Sequence, residues 1–281
     1  MNTDPICLVG VQRSGTTWMA RMMRQRPEIA FWGEPRQVWS FGHWLRPDDR
    51  LDASDATPLI ARYIRRRFFD YARKQGKPRF CEKTPSNTLR LPFVRAVFPE
   101  ARILLIVRDG RSVVRSTNQM RQSGLSWERV RTRWRESSPL DLLSHANRVP
   151  WVVAKLRGKP LKYWGVRPPG WREWVEHDSL FVAMAKAWAA AIRCAVEEGR
   201  AMGSDRFLAI RYEDLTEKPR ETMQGVVDFL ELADAGDMIQ GAVDVADPRR
   251  QDKWRSELSP EVLAEIRPHM EPTLDWLGYR W

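Results

Sequence analysis

The chain has 281 residues, and its 47 basic and 36 acidic side chains give a net charge of +11 and a pI near 10. Hydrophobic residues make up 43% of the sequence, which is enough for a sizeable core. No stretch reaches the about 18 consecutive apolar residues of a membrane span, so the sequence argues against a membrane-spanning protein. The positive charge favours polyanionic ligands such as nucleotides, acidic substrates, nucleic acid or anionic membrane surfaces.

No low-complexity linker divides the sequence, so we expect a single domain over residues 1–281 with one insertion. The cysteines Cys7, Cys81 and Cys194 are odd in number and lie far apart in apolar or helical surroundings. They fit reduced structural thiols better than a disulfide framework or a metal site. Because the first apolar run also lacks a basic leader, we expect a soluble, cytoplasmic protein.

The amino-terminal segment begins with an apolar run over 6–9, which predicts a buried strand, and continues into a helix over 19–23. Between them lies the sequence Gly10-Val11-Gln12-Arg13-Ser14-Gly15-Thr16-Thr17-Trp18. A strand-to-helix turn of small residues directs several backbone N–H groups to one point at the positive end of a helix. We therefore predict a cradle for a phosphate-like anion in this turn.

The same turn nearly matches the phosphate loop that binds nucleoside triphosphates. Gly10 and Gly15 have the G-x-x-x-x-G spacing, and Thr17 occupies the place of a magnesium-binding hydroxyl. Thr16 replaces the lysine, however, and the cation lies inside the loop as Arg13. This pattern favours a donor other than a nucleoside triphosphate and a reaction without a metal. An ordinary glycine-rich turn is the alternative.

The following segments alternate between strand and helix patterns. The sequence predicts a Trp-rich loop over 31–36, a helix over 59–75, a strand over 78–83, a helix over 87–98, a strand over 101–107 and a helix over 112–120. The run over 101–107 is the strongest strand signal, because a continuous apolar run is typical of a parallel strand covered on both faces.

The segment 123–178 differs in character, since it contains six tryptophans among many arginines and the loop signal Arg167-Pro168-Pro169-Gly170. We interpret it as an insertion that shapes an acceptor pocket, although arginines and aromatic rings also bind nucleic acid. Beyond it, the patterns predict a helix over 180–202, a strand over 206–211, a helix over 222–232 and a last helix after 259–261.

Alternating strands and helices predict an α/β fold, in which a mostly parallel sheet lies between two layers of helices. In such folds ligands bind at the carboxyl ends of the strands. Arg13, Lys83, Arg108 and Tyr212 all lie at or just beyond predicted strand ends. We therefore expect one site that is assembled from segments far apart in the sequence.

The run Arg108-Asp109-Gly110-Arg111-Ser112-Val113-Val114-Arg115-Ser116 repeats the order of strand, turn and helix. An arginine fork beside a hydroxyl is a good receiver for a second phosphate. Two anion sites on adjacent strands indicate one ligand that is phosphorylated at both ends. The alternatives are that Arg108 pairs with Asp109 and that Ser116 lies on the helix surface.

These two motifs resemble those of the sulfotransferases that use 3′-phosphoadenosine 5′-phosphosulfate (PAPS). Their 5′ loop has the form P-[KR]-S-G-T-T-W and their 3′ segment the form R-D-x-R-x-x-x-x-S. The resemblance covers most of the chain outside the insertion, and it implies a three-layer, P-loop-like nucleotide-binding fold. Gln12 departs from the usual proline, and Met120 stands where the family has an arginine, with Arg121 beside it.

Other segments resemble the bacterial relatives of tyrosylprotein sulfotransferases. Residues 27–34 are similar to a segment that ends in a catalytic glutamate, 81–85 to one with a catalytic lysine, and 211–215 to a nucleotide-contacting tyrosine segment. The resemblance thus implies Glu34 as general base, with Arg13 and Lys83 as catalytic cations. It implies a larger set of PAPS-binding residues: Arg13, Ser14, Gly15, Thr16, Thr17, Trp18, Arg108, Ser116, Tyr212 and Lys253.

In-line transfer of a sulfuryl group to a hydroxyl requires a base and cations for the charge on the leaving phosphate, which matches these residue types. Structural alternatives exist for each of them. Glu34 could be a loop carboxylate that pairs with Arg36, and Lys83 could be an exposed strand-end lysine. His43 is a rival base, because other sulfotransferases use histidine.

We therefore predict an enzyme that moves a sulfuryl group from PAPS to a hydroxyl of a carbohydrate, a phenol or another small molecule. The product would be adenosine 3′,5′-bisphosphate (PAP), and no metal is expected. A metal-dependent P-loop kinase and a basic RNA-binding protein are the alternatives. We expect no nucleic-acid partner and no stable membrane insertion, and the acceptor and the oligomeric state stay open.

Overall fold

A five-stranded sheet forms the centre of the protein, for which the computed structural model describes residues 3–122 and 163–281. The strand order is β2-β3-β1-β4-β5, and every neighbouring pair runs parallel. The strands are β1 (Ile6–Val9), β2 (Ile29–Gly33), β3 (Arg79–Lys83), β4 (Arg102–Val107) and β5 (Phe207–Arg211).

Helices connect the strands and cover both faces of the sheet. In chain order, the α-helices of the described residues are α1 (Thr16–Arg24), α2 (Arg36–Trp39), α3 (Pro58–Lys74), α4 (Leu91–Val97), α5 (Gly110–Gln122), α6 (Trp171–His177), α7 (Leu180–Arg200), α8 (Tyr212–Glu217), α9 (Pro219–Leu230), α10 (Gly236–Val245), α11 (Lys253–Glu257) and α12 (Pro260–Trp276).

The core consists of two clusters, one on each face of the sheet, because side chains alternate along the strands. Cys7 and Val9 of β1 pack with residues of α3, α4 and α7, whereas Ile6 and Leu8 pack with residues of α1, α9 and α10. All four residues of β1 are buried, which explains the continuous apolar run in the sequence. The predicted three-layer α/β architecture is confirmed.

The largest difference from the predicted elements is β2. The sequence predicts a loop over 31–36, yet Ile29–Gly33 forms an edge strand that pairs with β3. Helix α3 covers this strand, since Trp32 stacks on Tyr71 at a centroid distance of 4.2 Å and the hydroxyl of Tyr71 donates to the carbonyl of Phe31 at 2.8 Å. The loop therefore begins only at Glu34.

The predicted helix over 87–98 is divided into two parts. Pro85–Leu89 forms a 3₁₀ turn, and α4 begins at Leu91, because Pro92 fits the first turn of a helix but not its interior. The other predicted strands and helices lie within a few residues of their expected bounds. Helices α2, α8, α10 and α11 are short or weakly apolar, and the sequence patterns did not predict them.

The predicted insertion over 123–178 lies mostly outside the described residues, which resume at 163. Its described end includes α6, where Trp171 and Trp174 pack against the core. These two tryptophans thus have a structural role. Within residues 3–122 and 163–281, no helix is both long and apolar enough to cross a bilayer.

All three cysteines are free thiols, as predicted. Cys7 and Cys81 lie on adjacent central strands, and burial raises the pKa of both thiols well above the ordinary value. Burial also raises the pKa of Cys194 to about 12. A protonated thiol is a poor nucleophile and a poor metal ligand, so the buried Cys7 and Cys81 act as small apolar side chains of the core. The half-buried Cys194 accepts from the guanidinium of Arg50 at 2.7 Å.

Candidate active site

The turn between β1 and α1 depends on two glycines. A Cβ on Gly10 would lie 2.8 Å from the carbonyl oxygen of Ile106, so the turn packs tightly against β4. Gly15 has a φ of +99°, and its Cβ would lie 2.3 Å from Cδ2 of Tyr212. Only glycine permits this backbone conformation and this close approach. The turn therefore packs against Ile106 of β4 at Gly10 and against the ring of Tyr212 at Gly15.

The turn provides donors for an anion. Thr16 and Thr17 begin α1, a nine-residue helix whose amino-terminal end faces the turn. Ser14 is fully buried, and its Oγ has no hydrogen-bond partner among the described residues. A buried hydroxyl without a partner is costly unless a ligand completes its hydrogen bonding. Trp18, on the same first turns of α1, is half-buried. These residues fit a phosphate group.

The second predicted anion motif contacts the first one directly. Nε of Arg13 donates to Oγ of Ser116 on α5 at 2.8 Å, and Nη1 of Arg108 donates to the carbonyl oxygen of Arg13 at 3.0 Å. The guanidinium of Arg108 also lies over the ring of Tyr212, 4.2 Å from its centroid. Four of the predicted nucleotide-binding residues thus lie together at the carboxyl ends of β1, β4 and β5.

Asp109 and Arg111 hold the second motif in shape. The carboxylate of Asp109 accepts from the backbone N–H and from the guanidinium of Arg111, with a shortest contact of 2.6 Å. Asp109, named above as the alternative partner of Arg108, thus pairs with Arg111. Burial lowers the pKa of Arg108, which lies beside Tyr212 and Glu213. A buried arginine near its anion site is well placed to bind a phosphate.

Glu213 supports this motif, and its role was not predicted although it lies within the segment 211–215. One carboxylate oxygen accepts from the backbone N–H of Asp109 at 3.1 Å, and the other accepts from the hydroxyl of Tyr279 at 2.7 Å. Burial raises the pKa of Glu213. The carboxylate thus ties the turn before α5 to the carboxyl-terminal segment of the chain.

Lys253 lies at the start of α11, close to the second motif but exposed. The neighbouring Trp254 packs under the guanidinium of Arg111 at 4.0 Å, and the carbonyl of Gln251 accepts from the hydroxyl of Ser112 at 2.6 Å. These contacts place the backbone before Lys253 beside the first turn of α5. The side chain of Lys253 is exposed at this position.

Glu34 and Lys83 form a close pair at the ends of β2 and β3. Nζ of Lys83 lies 2.7 Å from Oε1 of Glu34, and the guanidinium of Arg36 lies 3.2 Å from Oε2. The backbone N–H of Glu34 also donates to the carbonyl of Lys83 at 2.8 Å. Lys83 is only 9% exposed, so it is not a solvated strand-end lysine. The predicted pairing of Glu34 with Arg36 is present together with the lysine contact.

His43 has structural partners. Its Nε2 lies 3.0 Å from the carbonyl oxygen of Asp55, and its ring meets Phe93 edge-on at a centroid distance of 5.7 Å. Burial lowers the pKa of His43, which favours the neutral ring. The residue lines the cavity beside the Glu34 and Lys83 pair, and the contacts of its ring are those of a packed side chain.

A cavity of about 260 Å³ has Arg36, the ion-pair partner of Glu34, in its wall. Five arginines and two aspartates line it: Arg36, Arg46, Arg90, Arg167, Arg172, Asp48 and Asp49. Asp49 binds Arg167 at 2.8 Å, which lowers the pKa of the carboxyl despite its burial. The described end of the predicted insertion thus forms part of this wall. The positive lining favours a ligand that carries negative charge.

Four of the five strand ends place these groups in a fixed order along one edge of the sheet. Glu34 follows β2, Lys83 ends β3, and the anion-binding turn follows β1, whose Leu8 is paired with Lys83. Arg108 follows β4. Because neighbouring strands are about 4.8 Å apart, the lysine lies one strand from the turn and the carboxylate lies two strands from it. Among the described residues, no group of three or more His, Cys, Asp or Glu side chains could hold a metal ion.

Comparison with known proteins shows which family the chain resembles. The family model described as "Sulfotransferase family" matches residues 5–150 and 161–236. The protein-tyrosine sulfotransferase of Drosophila melanogaster is 26% identical over 237 residues, which are 81% of this chain and 38% of that protein. The chain therefore spans about two-fifths of the length of this relative.

Two solved structures share the fold. The sulfotransferase domain from the curacin biosynthetic pathway has a TM-score of 0.61 and 15% identity, with 99% of both chains covered. The sulfotransferase domain of the olefin synthase from Synechococcus PCC 7002 has a TM-score of 0.57 and 18% identity, with 100% of this chain and 96% of that chain covered. Since the family model matches most of the sequence, the chain belongs to the sulfotransferase family.

Proposed function

We propose that the protein transfers a sulfuryl group from PAPS to a hydroxyl of a small-molecule or glycan acceptor, with Glu34 as general base. The observation that carries the proposal is the 2.7 Å contact between Glu34 and Lys83, one strand from the turn that holds Arg13. A base and two cations then lie at the ends of three neighbouring strands, on one edge of the sheet. This arrangement suits a reaction in which a hydroxyl loses a proton while a phosphate gains charge.

The donor would be held at both of its phosphate ends. The turn with Ser14 and the amino-terminal end of α1 would bind the 5′ phosphosulfate, whereas Arg108 and Ser116 would bind the 3′ phosphate. The contact between Arg13 and Ser116 supports a single ligand, because it brings the two motifs within hydrogen-bond distance of each other. Gly15, Thr16, Thr17, Trp18, Tyr212 and Lys253 complete the proposed donor site.

The transfer itself needs one bond to form and one to break. The acceptor oxygen forms a bond to sulfur, and the bond between sulfur and the bridging oxygen of the donor breaks. The hydroxyl proton passes to Glu34, whose carboxylate contacts Lys83 and Arg36. Arg13 and Lys83 offset the charge that develops on the leaving PAP. A positioned base typically contributes a rate factor of about 10² to 10⁴.

The acceptor would lie in the arginine-lined cavity beside Glu34. Arg36 lines the cavity and also contacts Glu34, so it connects a ligand in the cavity with the proposed base. Five arginines against two aspartates favour an acceptor that carries a carboxylate, phosphate or sulfate group near its hydroxyl. The volume of about 260 Å³ suits a single sugar or phenol ring rather than a folded protein segment.

The test is an incubation with radiolabelled PAPS and a panel of hydroxyl acceptors, acidic and neutral. Wild-type protein should label an acceptor, and the Glu34→Gln variant should lose about 10² to 10⁴-fold in kcat while it still binds PAP. The Glu28→Gln variant is the matched control, since Glu28 lies at the other end of β2 and pairs with Arg26 at 2.8 Å. Labelling that is equal in Glu34→Gln and wild type would contradict the assigned base.

Membership in the sulfotransferase family supports sulfuryl transfer over the two alternatives that the sequence left open. A P-loop kinase would bind ATP with magnesium, and a basic RNA-binding protein would keep its affinity for RNA after Arg13 and Arg108 are replaced. Both outcomes can be measured with the same protein preparations. Magnesium-dependent ATP binding, or RNA affinity that survives these replacements, would contradict the proposed function if no sulfuryl transfer is found.

A further inference from the structure

We propose that Glu82 is a positioning residue for sulfuryl transfer, whose carboxylate ties the turn after Glu34 to the turn after Lys83. This inference rests on the proposed function, because it concerns the distance between the proposed base and its neighbouring cation. Glu82 precedes Lys83 on β3, and side chains alternate along a strand. Lys83 therefore faces Glu34, whereas Glu82 points into the core.

The carboxylate of Glu82 has partners on both turns. Its Oε2 accepts from Nε1 of Trp39 at 3.1 Å and from Oγ1 of Thr84 at 2.7 Å. Its Oε1 accepts from Nδ2 of Asn87 at 2.8 Å. Trp39 ends α2, the short helix that follows Glu34, whereas Thr84 and Asn87 follow Lys83. One buried group thus connects the two segments that carry the reacting side chains.

A buried acidic side chain at this position would lower the stability of the fold if it served only for packing. Glu82 is 0% exposed, and burial raises its pKa to about 7 although three hydrogen bonds oppose the shift. A carboxylate accepts at both oxygens, whereas the amide of glutamine would present an N–H₂ group to one set of donors. All three donors can therefore be satisfied by a carboxylate but not by its amide.

The orientation of Asn87 is fixed by a further contact. Its Oδ1 accepts from Nε of the buried Arg90 at 2.8 Å, so its N–H₂ group must face Glu82. Arg90 also donates to Oγ of Ser86 at 2.6 Å, and both residues line the arginine-rich cavity. The network therefore runs from Trp39 through Glu82 to the wall of the proposed acceptor site. Its two ends fix its direction, because the guanidinium of Arg90 can only donate and the carboxylate of Glu82 accepts at both oxygens.

Glu34 needs such support because of its backbone conformation. Its φ of 58° lies in the left-handed region, which costs a residue with a Cβ of order 1 kcal/mol. The hydrogen bond from its N–H to the carbonyl of Lys83 fixes one side of the turn. The contact between Trp39 and Glu82 fixes the other side, five residues further along the chain. Without it, Glu34 can move relative to Lys83 and relative to the acceptor.

The experiment compares hydroxyl-deleting and hydroxyl-keeping variants of a partner of Glu82. Thr84→Val removes the hydroxyl that donates to Glu82 at nearly constant side-chain volume, whereas Thr84→Ser keeps this hydroxyl. We expect Thr84→Val and Glu82→Gln to lower kcat by tenfold or more, with KM for PAPS and the Kd of PAP within about twofold of wild type. Thr84→Ser should restore kcat to within about threefold of wild type. A merely structural role would lower thermal stability in both Thr84 variants without this difference in kcat.

Trp39→Phe is a second variant, which removes the indole N–H but keeps an aromatic ring. Its matched control is Trp188→Phe, because Trp188 is buried in the same cluster and its Nε1 has no hydrogen-bond partner among the described residues. We expect kcat to fall at least tenfold in Trp39→Phe and to stay within twofold in Trp188→Phe. The indole cross-peak of Trp39 in a nitrogen–proton NMR spectrum, identified by its loss in Trp39→Phe, should shift in Glu82→Gln.

The outcomes separate this inference from the proposed function. If wild-type protein transfers sulfuryl groups and Glu82→Gln shifts the indole cross-peak but keeps kcat within twofold, the positioning role is overturned and the proposed function stands. If wild-type protein transfers no sulfuryl group to any acceptor, the proposed function fails and the positioning role with it. If kcat falls in Glu82→Gln, Thr84→Val and Trp39→Phe while PAP binding is intact, the result supports both the positioning role of Glu82 and the proposed function.

Discussion

The guanidinium of Arg13 and the hydroxyl of Ser116 are joined by a hydrogen bond of 2.8 Å, although 103 residues separate them in the sequence. Arg13 lies in the turn after β1, and Ser116 lies in α5, the helix that follows β4. Because these strands are neighbours in the sheet, the two turns form one continuous surface. A donor with a phosphate at each end can therefore contact both turns at once.

Replacement of Ser116 should weaken donor binding. We expect Ser116→Ala to raise the Kd of PAP by a factor of about 10 to 100, since a hydrogen bond to a charged group is worth about 1.5–3 kcal/mol. Titration calorimetry with PAP measures this change. The control is Thr117→Val, because Thr117 is the next residue of α5 and its buried Oγ1 has no hydrogen-bond partner among the described residues. Equal weakening in both variants would contradict a specific role for Ser116.

Gly15 should tolerate no side chain. A methyl group there meets the ring of Tyr212 at 2.3 Å in addition to the cost of a φ of +99°. We expect Gly15→Ala to lower the free energy of unfolding by about 2 kcal/mol or more and to weaken PAP binding. Gly76→Ala is the control, because Gly76 also has a positive φ, +64°, but no atom lies within 4 Å of its Cβ position. It should cost about 1 kcal/mol and leave PAP binding unchanged.

Glu82 should make stability depend on pH. Burial raises the pKa of its carboxyl from 4.5 to about 7 in the folded protein. Between these values the folded protein holds a proton that the unfolded chain has released, so the free energy of unfolding should fall as the pH rises. The expected loss is of order 3 kcal/mol, at 1.36 kcal/mol for each pKa unit.

Urea denaturation at pH 5 and pH 8 measures this effect. The difference in unfolding free energy between wild type and Glu82→Gln should become smaller, or reverse, at the higher pH, because the amide cannot ionise. Arg90 and Cys7 also act on this carboxyl, and neither of them titrates in this window, since the pKa of Arg90 is about 10 and that of Cys7 is raised by burial. A constant difference across the range would contradict a raised pKa for Glu82.

The fold could be predicted where the sequence has a clear period or a continuous apolar run. The run over 101–107 became β4, and the pattern over 59–75 became α3. Strand β2 was missed because its apolar residues are followed directly by Gly33, Glu34 and Pro35, which are typical of a loop. Its strand structure depends on the cover that α3 provides, and this tertiary contact leaves no local pattern.

The site was predictable to the extent that its residues lie in motifs at strand ends. Arg13, Lys83 and Arg108 occupy such positions, and the structure brings each of them to the same edge of the sheet. The supporting carboxylates Glu82 and Glu213 were not predicted. Their partners Trp39 and Tyr279 are 43 and 66 residues away, and a hydrogen bond over that separation has no signal in a single sequence.

The arginines of the cavity should select acceptors by charge, and Arg172 offers the cleanest test. It is exposed at the cavity wall, and its guanidinium lies 5.7 Å from the ring of Trp171, so its removal leaves no buried carboxylate unpaired. Two unit charges about 4 Å apart interact by about 1 kcal/mol in water. We therefore expect Arg172→Gln to raise KM about threefold to tenfold for a phenol that bears a carboxylate, with kcat and the KM for PAPS unchanged.

The uncharged amide of the same phenol separates charge from shape, since its KM should be equal in wild type and Arg172→Gln. Added salt should reduce the difference between the two proteins for the acidic acceptor, because exposed charges are screened over about 8–10 Å at physiological ionic strength. Arg66→Gln is the control, as Arg66 is an exposed arginine of α3 that pairs loosely with Asp70 at 3.6 Å. If both acceptors lose affinity equally in Arg172→Gln, the cavity recognises shape and its positive lining does not select acidic acceptors.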